Sequence, residues 1–366
     1  MKRIQNRFGM LMVAAVTAIG LSVPMAADAA DFSGKKITLL VPYGEGGGAD
    51  TVARLMQPYL SDALPGKPQV VILNQPGGGG VKGGNKFDAT APKDGTMLIV
   101  GSTSGHISFL LGNKAVKYDQ TKWRGVMGLP RGAIVYVNGD KLKISGKDPK
   151  ADIEMMRNSK VINGSKTPLA AELLDTISME LLGVNNASVF GLSTSQQQQA
   201  FLRGEINLNN DGSGAYTQRV ANATEGARPT ALFAYGYMKG DGTIVRDPDH
   251  PNIPTFNEVY EAVNGKQPSG VGYQAYLNLY ATKVALSKVI ALPAGTPQDI
   301  VDAHVAAFKK VYDNPKVKEG LATEFGSMPV NFGKDVEMSL AEGMHIKDET
   351  KDWLNQLLKS KYNASL

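Results

Sequence analysis

The sequence predicts an α/β protein made of two open sheets, each flanked by helices. Two observations predict it. Short apolar runs alternate with amphipathic stretches, and the runs end in glycines or small polar residues. After the first 130 or so residues the same alternation starts again in a second block.

The chain has 366 residues, enough for about two domains. Lys2, Arg3 and Arg7 open it, an apolar run from Phe8 to Met25 follows, and Ala27 and Ala29 suit a signal-peptidase site. Residues 1–29 are therefore expected to be a secretory leader. Gly20 and Pro24 interrupt the run, which falls short of the roughly 20 apolar residues a membrane anchor needs. There is no cysteine. An exported protein without disulfides fits a bacterial periplasm, because a large core needs no staples. The net charge of +5 is spread along the chain without a basic tract, so nucleic acid is not indicated.

KITLLV (36–41) reads as a buried strand running into the turn GEGGG. Residues 50–64 then place Val52, Leu55, Met56, Tyr59, Leu60 and Leu64 on one helical face. QVVILN (69–74) is a second strand followed by a second glycine loop, and TMLIVG (96–101) a third followed by STSGH. Strands separated by crossovers, with polar ends, indicate a parallel sheet that binds ligands at its C-terminal edge. The second block runs from about 132 to 271. AIVYVN (133–138) and KVING (160–164) supply strands, ASVFGL (187–192) leads into the glutamine run, and INLNN supplies another strand. Thr167 as N-cap and Pro168 predict a helix closed by Gly183, QQQQ reads as a polar helix face, and Gly204 ends that helix. Residues 238–255 are a turn-rich surface excursion. Thr296 and Pro297 start a helix with Ile300, Val301, Val305, Phe308 and Tyr312 on one stripe, and three more helices cover roughly 315–324, 334–343 and 347–360.

Catalytic machinery is not legible. Gly44, Gly46 and Ala49 match a dinucleotide fingerprint, which leaves a nicotinamide-dependent oxidoreductase as the alternative function, but Asn74 stands where a ribose-binding acid belongs. GSTSG (101–105) has Thr103 where a nucleophile elbow needs serine. His106, His250, His304 and His345 show no metal-ligand spacing, and His304 sits at the packed positions of its helix. No cofactor, metal or catalytic residue is expected. The loops suit anion capture instead: helix N-termini offer unpaired N–H groups and partial positive charge, and glycines allow close approach.

VPYGEGGGADTVARL, VVILNQPGGGGVKGGN, APKDGTMLIVGSTSGH, PNIPTFNEV and LPAGTPQDIV resemble the successive motifs of the tripartite tricarboxylate transporter substrate-binding proteins, the Bug or TctC-like family. The resemblance covers nearly all of residues 30–366. It implies a two-lobed periplasmic-binding-protein-like fold with an open mixed sheet in each lobe and two hinge crossovers, near 130–133 and 270–274. Residues 30–131 and 273–366 would form lobe 1, and 132–272 lobe 2. It implies a monomeric periplasmic receptor without enzymatic activity. Such a receptor takes a di- or tricarboxylate, aromatic acid or amino acid and delivers it to a membrane permease; a sensor's extracytoplasmic receptor shares the fold.

Carried over by position, the ligand loops would be Tyr43, Gly44, Gly46, Gly47, Gly48 and Ala49; Gly77, Gly78, Gly79 and Gly80; and Ser102, Thr103 and Ser104. The second lobe would add Ser165, Lys166 and Thr167, with Asn209, Asn210 and Asp211 at a later strand end. Asp50 is expected to order its loop. Glu45 departs from the family's apolar residue or proline: either it faces solvent, or the ligand carries a cationic group. ASVFGLSTSQQQQ departs from the family's V-P-Y-[KR]-G pattern, and Lys166 is either a partner for a ligand carboxylate or a solvated lysine.

Overall fold

The computed structural model describes residues 30–366 apart from 222, 224–226 and 240; the leader expected at 1–29 lies outside the described residues. The first sheet opens with β1 (Lys36–Val41), β2 (Gln69–Asn74), β3 (Met97–Ser102) and β4 (Arg124–Leu129). The second contains β5 (Ala133–Asn138), β6 (Val161–Gly164), β7 (Asn186–Val189), β8 (Leu208–Gly212) and β9 (Pro229–Ala234). A small hairpin of β10 (Tyr237–Met238) and β11 (Ile244–Val245) follows, within the stretch read as a surface excursion. The chain then returns to the first sheet with β12 (Lys288–Leu292) and β13 (Asn331–Phe332).

The first sheet has the order β13-β4-β12-β3-β1-β2, with β1 parallel to both β2 and β3. β12 runs antiparallel between β3 and β4. The second has the order β7-β6-β8-β5-β9 and is also mixed. Each sheet has its own core. Leu39, Val41, Val52, Met56, Ile290 and Phe308 belong to the first, and Val135, Val137, Ile177, Phe233, Tyr276 and Leu354 to the second.

Two passages join the sheets. Residues 130–132 lead from β4 to β5, and residues 281–287 lead back into β12. They lie side by side, the Arg131 N–H donating to the Val284 carbonyl at 2.9 Å. The return lies later than 270–274. Helix Val271–Tyr280 buries Ala275, Tyr276 and Leu279 in the second core, where Tyr276 stacks on Phe256. Helix Asp348–Tyr362 packs on that helix and adds Leu354, Leu357 and Leu358 to the same core. The C-terminal helix, read from sequence with the first lobe, thus sits on the second, because its leucine stripe complements that aromatic cluster.

Several strands, three of five or six residues among them, were not legible. RGVMGL and KVIAL became β4 and β12, and PTALFA became β9. β4 is interrupted by Gly125, where a Cβ would stand 2.7 Å from Val336, so close helix packing removes the side chain that would mark the strand. The helix expected from Thr167 begins at Leu173, because residues 167–172 form turns and the Ser165 hydroxyl bonds the Thr167 carbonyl. Thr296 does not cap its helix, which runs Gln298–Tyr312; its hydroxyl donates to Pro293 O. The glutamine run does lie on helix Thr194–Leu202, yet Gln197 and Gln198 are buried in polar contacts rather than on a solvated face.

Candidate functional site

β1, β2 and β3 end at the same edge of the first sheet, and each leads to a helix: α1 (Gly48–Ala63), α2 (Val81–Thr90) and α3 (Thr103–Leu110). None of the three N-cap residues, Gly47, Gly80 and Ser102, makes a side-chain capping bond. In α1 the first helical bond runs from Thr51 N–H to Gly47 O, leaving the N–H groups of Gly48, Ala49 and Asp50 without helical partners. At α2 and α3 part of this set is taken, since Lys82 N–H donates to Gly77 O, Thr103 N–H to Ser287 O and Gly105 N–H to the Tyr43 hydroxyl. The free, partly positive end of α1 is the surface suited to an oxyanion.

The loops before them are held firmly. Asp50 is fully buried and accepts from Gly46 N–H at 2.8 Å, Arg54 Nε at 2.7 Å and Asn74 Nδ2 at 2.9 Å. Burial raises its pKa, but these donors and the Arg54 charge outweigh burial and hold it below the usual carboxylate value. Asp50 therefore orders its loop. Tyr43 lies beneath the loops, its hydroxyl donating to Ser102 O and accepting from Gly105 N–H, and burial pushes it up to about 12. A Cβ on Gly80 would meet that hydroxyl at 2.6 Å, and Gly80 has φ +99°. Glycine is required there on both counts.

Gly44, Gly46 and Gly47 are exposed, Gly48 is half-buried and Ala49 buried. Gly77, Gly78 and Gly79 lie on the surface of the second loop beside Ser104, which is exposed. Ser102 and Thr103 are half-buried, and Thr103 gives its N–H and hydroxyl to Ser287 O. The structure brings these three loops together. Glu45 points to solvent, its carboxylate 3.9 Å from Arg54.

The second-sheet residues are engaged with one another. Ser165 is buried, Thr167 exposed, and Lys166 pairs with buried Glu172 at 2.9 Å. Asn209 donates to the Tyr136 hydroxyl, Asn210 to Asp175, and Asp211 accepts from Tyr136 at 2.6 Å and Gln198 at 2.7 Å. His106 is buried against Gln120 at 2.8 Å, and burial, aided by the Lys288 charge, lowers it to about 4. Among the described residues no cluster of His, Cys, Asp or Glu is placed to hold a metal ion.

Two residues at this edge escaped the sequence reading: Lys288, at the start of β12 beside Ser102 and Leu129, and Arg131, on the first passage. The available signal was a lone lysine entering an apolar run, SKVIAL, and an arginine inside LPRGAIV.

The architecture is that of the two-lobed periplasmic solute-binding proteins. More narrowly, it is the fold of the TctC and Bug type, as the sequence resemblance implied. No family model matches the chain. It is 22% identical over 335 residues to a UPF0065 protein from the tcbD-tcbE intergenic region of Pseudomonas sp. strain P51, covering 91% of this chain and 89% of that one. It is 36% identical over 95 residues to BugT of Bordetella pertussis, 25% of this chain and 27% of BugT. Among solved structures, a TctC solute-binding protein from Polaromonas has a TM-score of 0.65 at 15% identity, over 89% of this chain and 98% of its own. The periplasmic binding protein BugD has a TM-score of 0.57 at 19% identity, over 90% and 99%. MatC of Rhodopseudomonas palustris, solved with bound malate, has a TM-score of 0.57 at 20% identity, over 87% and 97%. The solved neighbours are binding proteins rather than enzymes.

Proposed function

We propose that this chain is a periplasmic receptor. It captures a small carboxylated organic compound between its two lobes and delivers it to the permease of a tripartite tricarboxylate-type transporter, acting as a monomer and without a chemical step. The observation that carries this reading is the convergence of three uncapped helix N-termini at one sheet edge. Such a surface holds an oxyanion through backbone donors. The malate bound by MatC supports a carboxylate as the ligand class. The N-terminal leader motif supports export. The dinucleotide reading loses its ribose contact, since the Asn74 amide is spent on Tyr43 O and Asp50.

The test is thermal unfolding of the exported protein with malate, adipate, citrate, benzoate, aspartate and NAD. A ligand at about a hundred times its dissociation constant adds roughly 2.7 kcal/mol. A shift with one carboxylate class and none with NAD is expected. A shift with NAD alone, or no shift with any carboxylate, overturns the receptor reading.

A further inference from the structure

Lys288 is only 6% exposed. A buried ammonium is costly unless a carboxylate pairs with it. Among the described residues no Asp or Glu forms an ion pair with Lys288; its Nζ donates only to the Ser287 carbonyl and hydroxyl, each at 3.1 Å. Arg131, half-buried on the passage from β4 to β5, is a second such cation. It forms no ion pair among the described residues, and its buried Nε has no hydrogen-bond partner. Two carboxylates act on these cations from longer range. Glu324 is exposed, and Asp211 is already held by Tyr136 and Gln198. Burial, with the Arg131 charge added, depresses Lys288 to about 7. Folding alone gives no reason to bury an ammonium within reach of the half-buried Arg131 guanidinium.

The surroundings supply one. A Cβ on Gly48 would stand 3.2 Å from Lys288 Cε and 3.7 Å from its Nζ, so the ammonium lies against the open end of α1. Ser287 O, which accepts from Lys288, also accepts the Thr103 N–H at the N-terminus of α3. The Phe325 ring, 5.2 Å from Nζ, supports the cation without neutralising it. We infer that Lys288, at the start of β12, and Arg131, on the first passage, form an anion subsite beside the open end of α1, selecting an ionised carboxylate with no ammonium beside it. This rests on the receptor reading and narrows it: a hydroxy- or plain diacid fits, and the amino acid of the same shape does not.

A bound carboxylate restores the Lys288 proton, so binding takes up a proton above neutral pH. The groups facing Lys288 are Arg131 from the first passage, Glu324 from helix Pro315–Phe325 and His106 from α3. His106 is held near 4 by burial, so between about pH 6 and 9 Lys288 is the group that changes charge.

Calorimetric titration of the exported protein tests this. The probe is malate, or adipate if malate does not bind, against its amino counterpart, aspartate or 2-aminoadipate. Lys288→Met is expected to weaken binding roughly 10- to 150-fold, the worth of a charged hydrogen bond, and to abolish proton uptake at about pH 8. It should also narrow the preference over the amino analogue, while the unliganded variant melts no lower than the wild type. Arg131→Lys should retain more affinity than Arg131→Met. Lys288→Gln gives the same reading should the methionine variant not fold. Unchanged affinity in the Lys288 variants, or equal binding of the amino analogue by the wild type, overturns the subsite and leaves the receptor intact. A wild type that binds no carboxylate overturns both.

Discussion

At the scale of single residues, the buried imidazoles set an acid limit on the fold. Burial lowers His304 to about 4, although its Nε2 contacts the Gly95 carbonyl at 2.9 Å. Unfolded, it titrates near the ordinary histidine value of about 6.5. Between those values the unfolded chain binds the extra proton, so this group's contribution to stability is full above pH 6.5 and falls as pH drops toward 4. His304→Gln keeps a donor for Gly95 and removes the titration. Urea unfolding at about pH 7 and 4.5 should show a smaller acid loss in the variant than in the wild type; equal losses would refute the assignment. The packed role of His304 was legible because Ile300 and Phe308 flank it at helical spacing. The role of Lys288 was not, since a lysine's depth depends on which strands later enclose it, and β3 and β4 come from far along the chain.

Among the elements, the β1–α1 unit depends most on one side chain. Asp50 joins the glycine turn, the helix and, through Asn74, the end of β2. Asp50→Asn removes the charge from these bonds and sets an amide donor against Gly46 N–H. The expected loss is about 1.5–3 kcal/mol, the scale for hydrogen bonds to a charged group, measured by urea denaturation. Ligand affinity should fall as well, because the N-terminus of α1 is no longer held. Stability unchanged within about 0.5 kcal/mol would sink the claim. β1, β2 and β3 were legible for a reason this unit illustrates: each is a short apolar run ended by residues the turn requires. β12 is punctuated only at its end, by Pro293 and Gly295. It enters antiparallel with a lysine first, and its partners are set by topology rather than by neighbouring sequence. The second-sheet site loop was misread for a related reason. Thr167-Pro168 is a sound helix start locally, but the Lys166–Glu172 pair belongs to a turn that delays the helix to Leu173.

For the whole molecule, the two passages and the contacts beside them define how the lobes would move. Residues 130–132 and 281–287 are joined by the Arg131–Val284 backbone bond. Away from it, Asp249 of the second sheet's surface excursion accepts from Ser327 N–H at 2.8 Å, next to the close approach of Gly214 to Thr323 O. That contact holds the lobes together without touching Lys288 or the open end of α1. A ligand that binds only the closed form shifts the population by its differential affinity. The contact across the lobes lowers the cost of reaching that form. Asp249→Ala should therefore weaken carboxylate binding modestly, by about fivefold for one hydrogen bond, with the malate-over-aspartate preference unchanged. Small-angle scattering should show the wild type contracting when its ligand is added, and unliganded Asp249→Ala more extended than the unliganded wild type. Selectivity would then belong to the subsite and affinity partly to closure. A profile unmoved by a tightly bound ligand would separate the two lobes' fold from any closing motion and leave the subsite alone to hold the ligand.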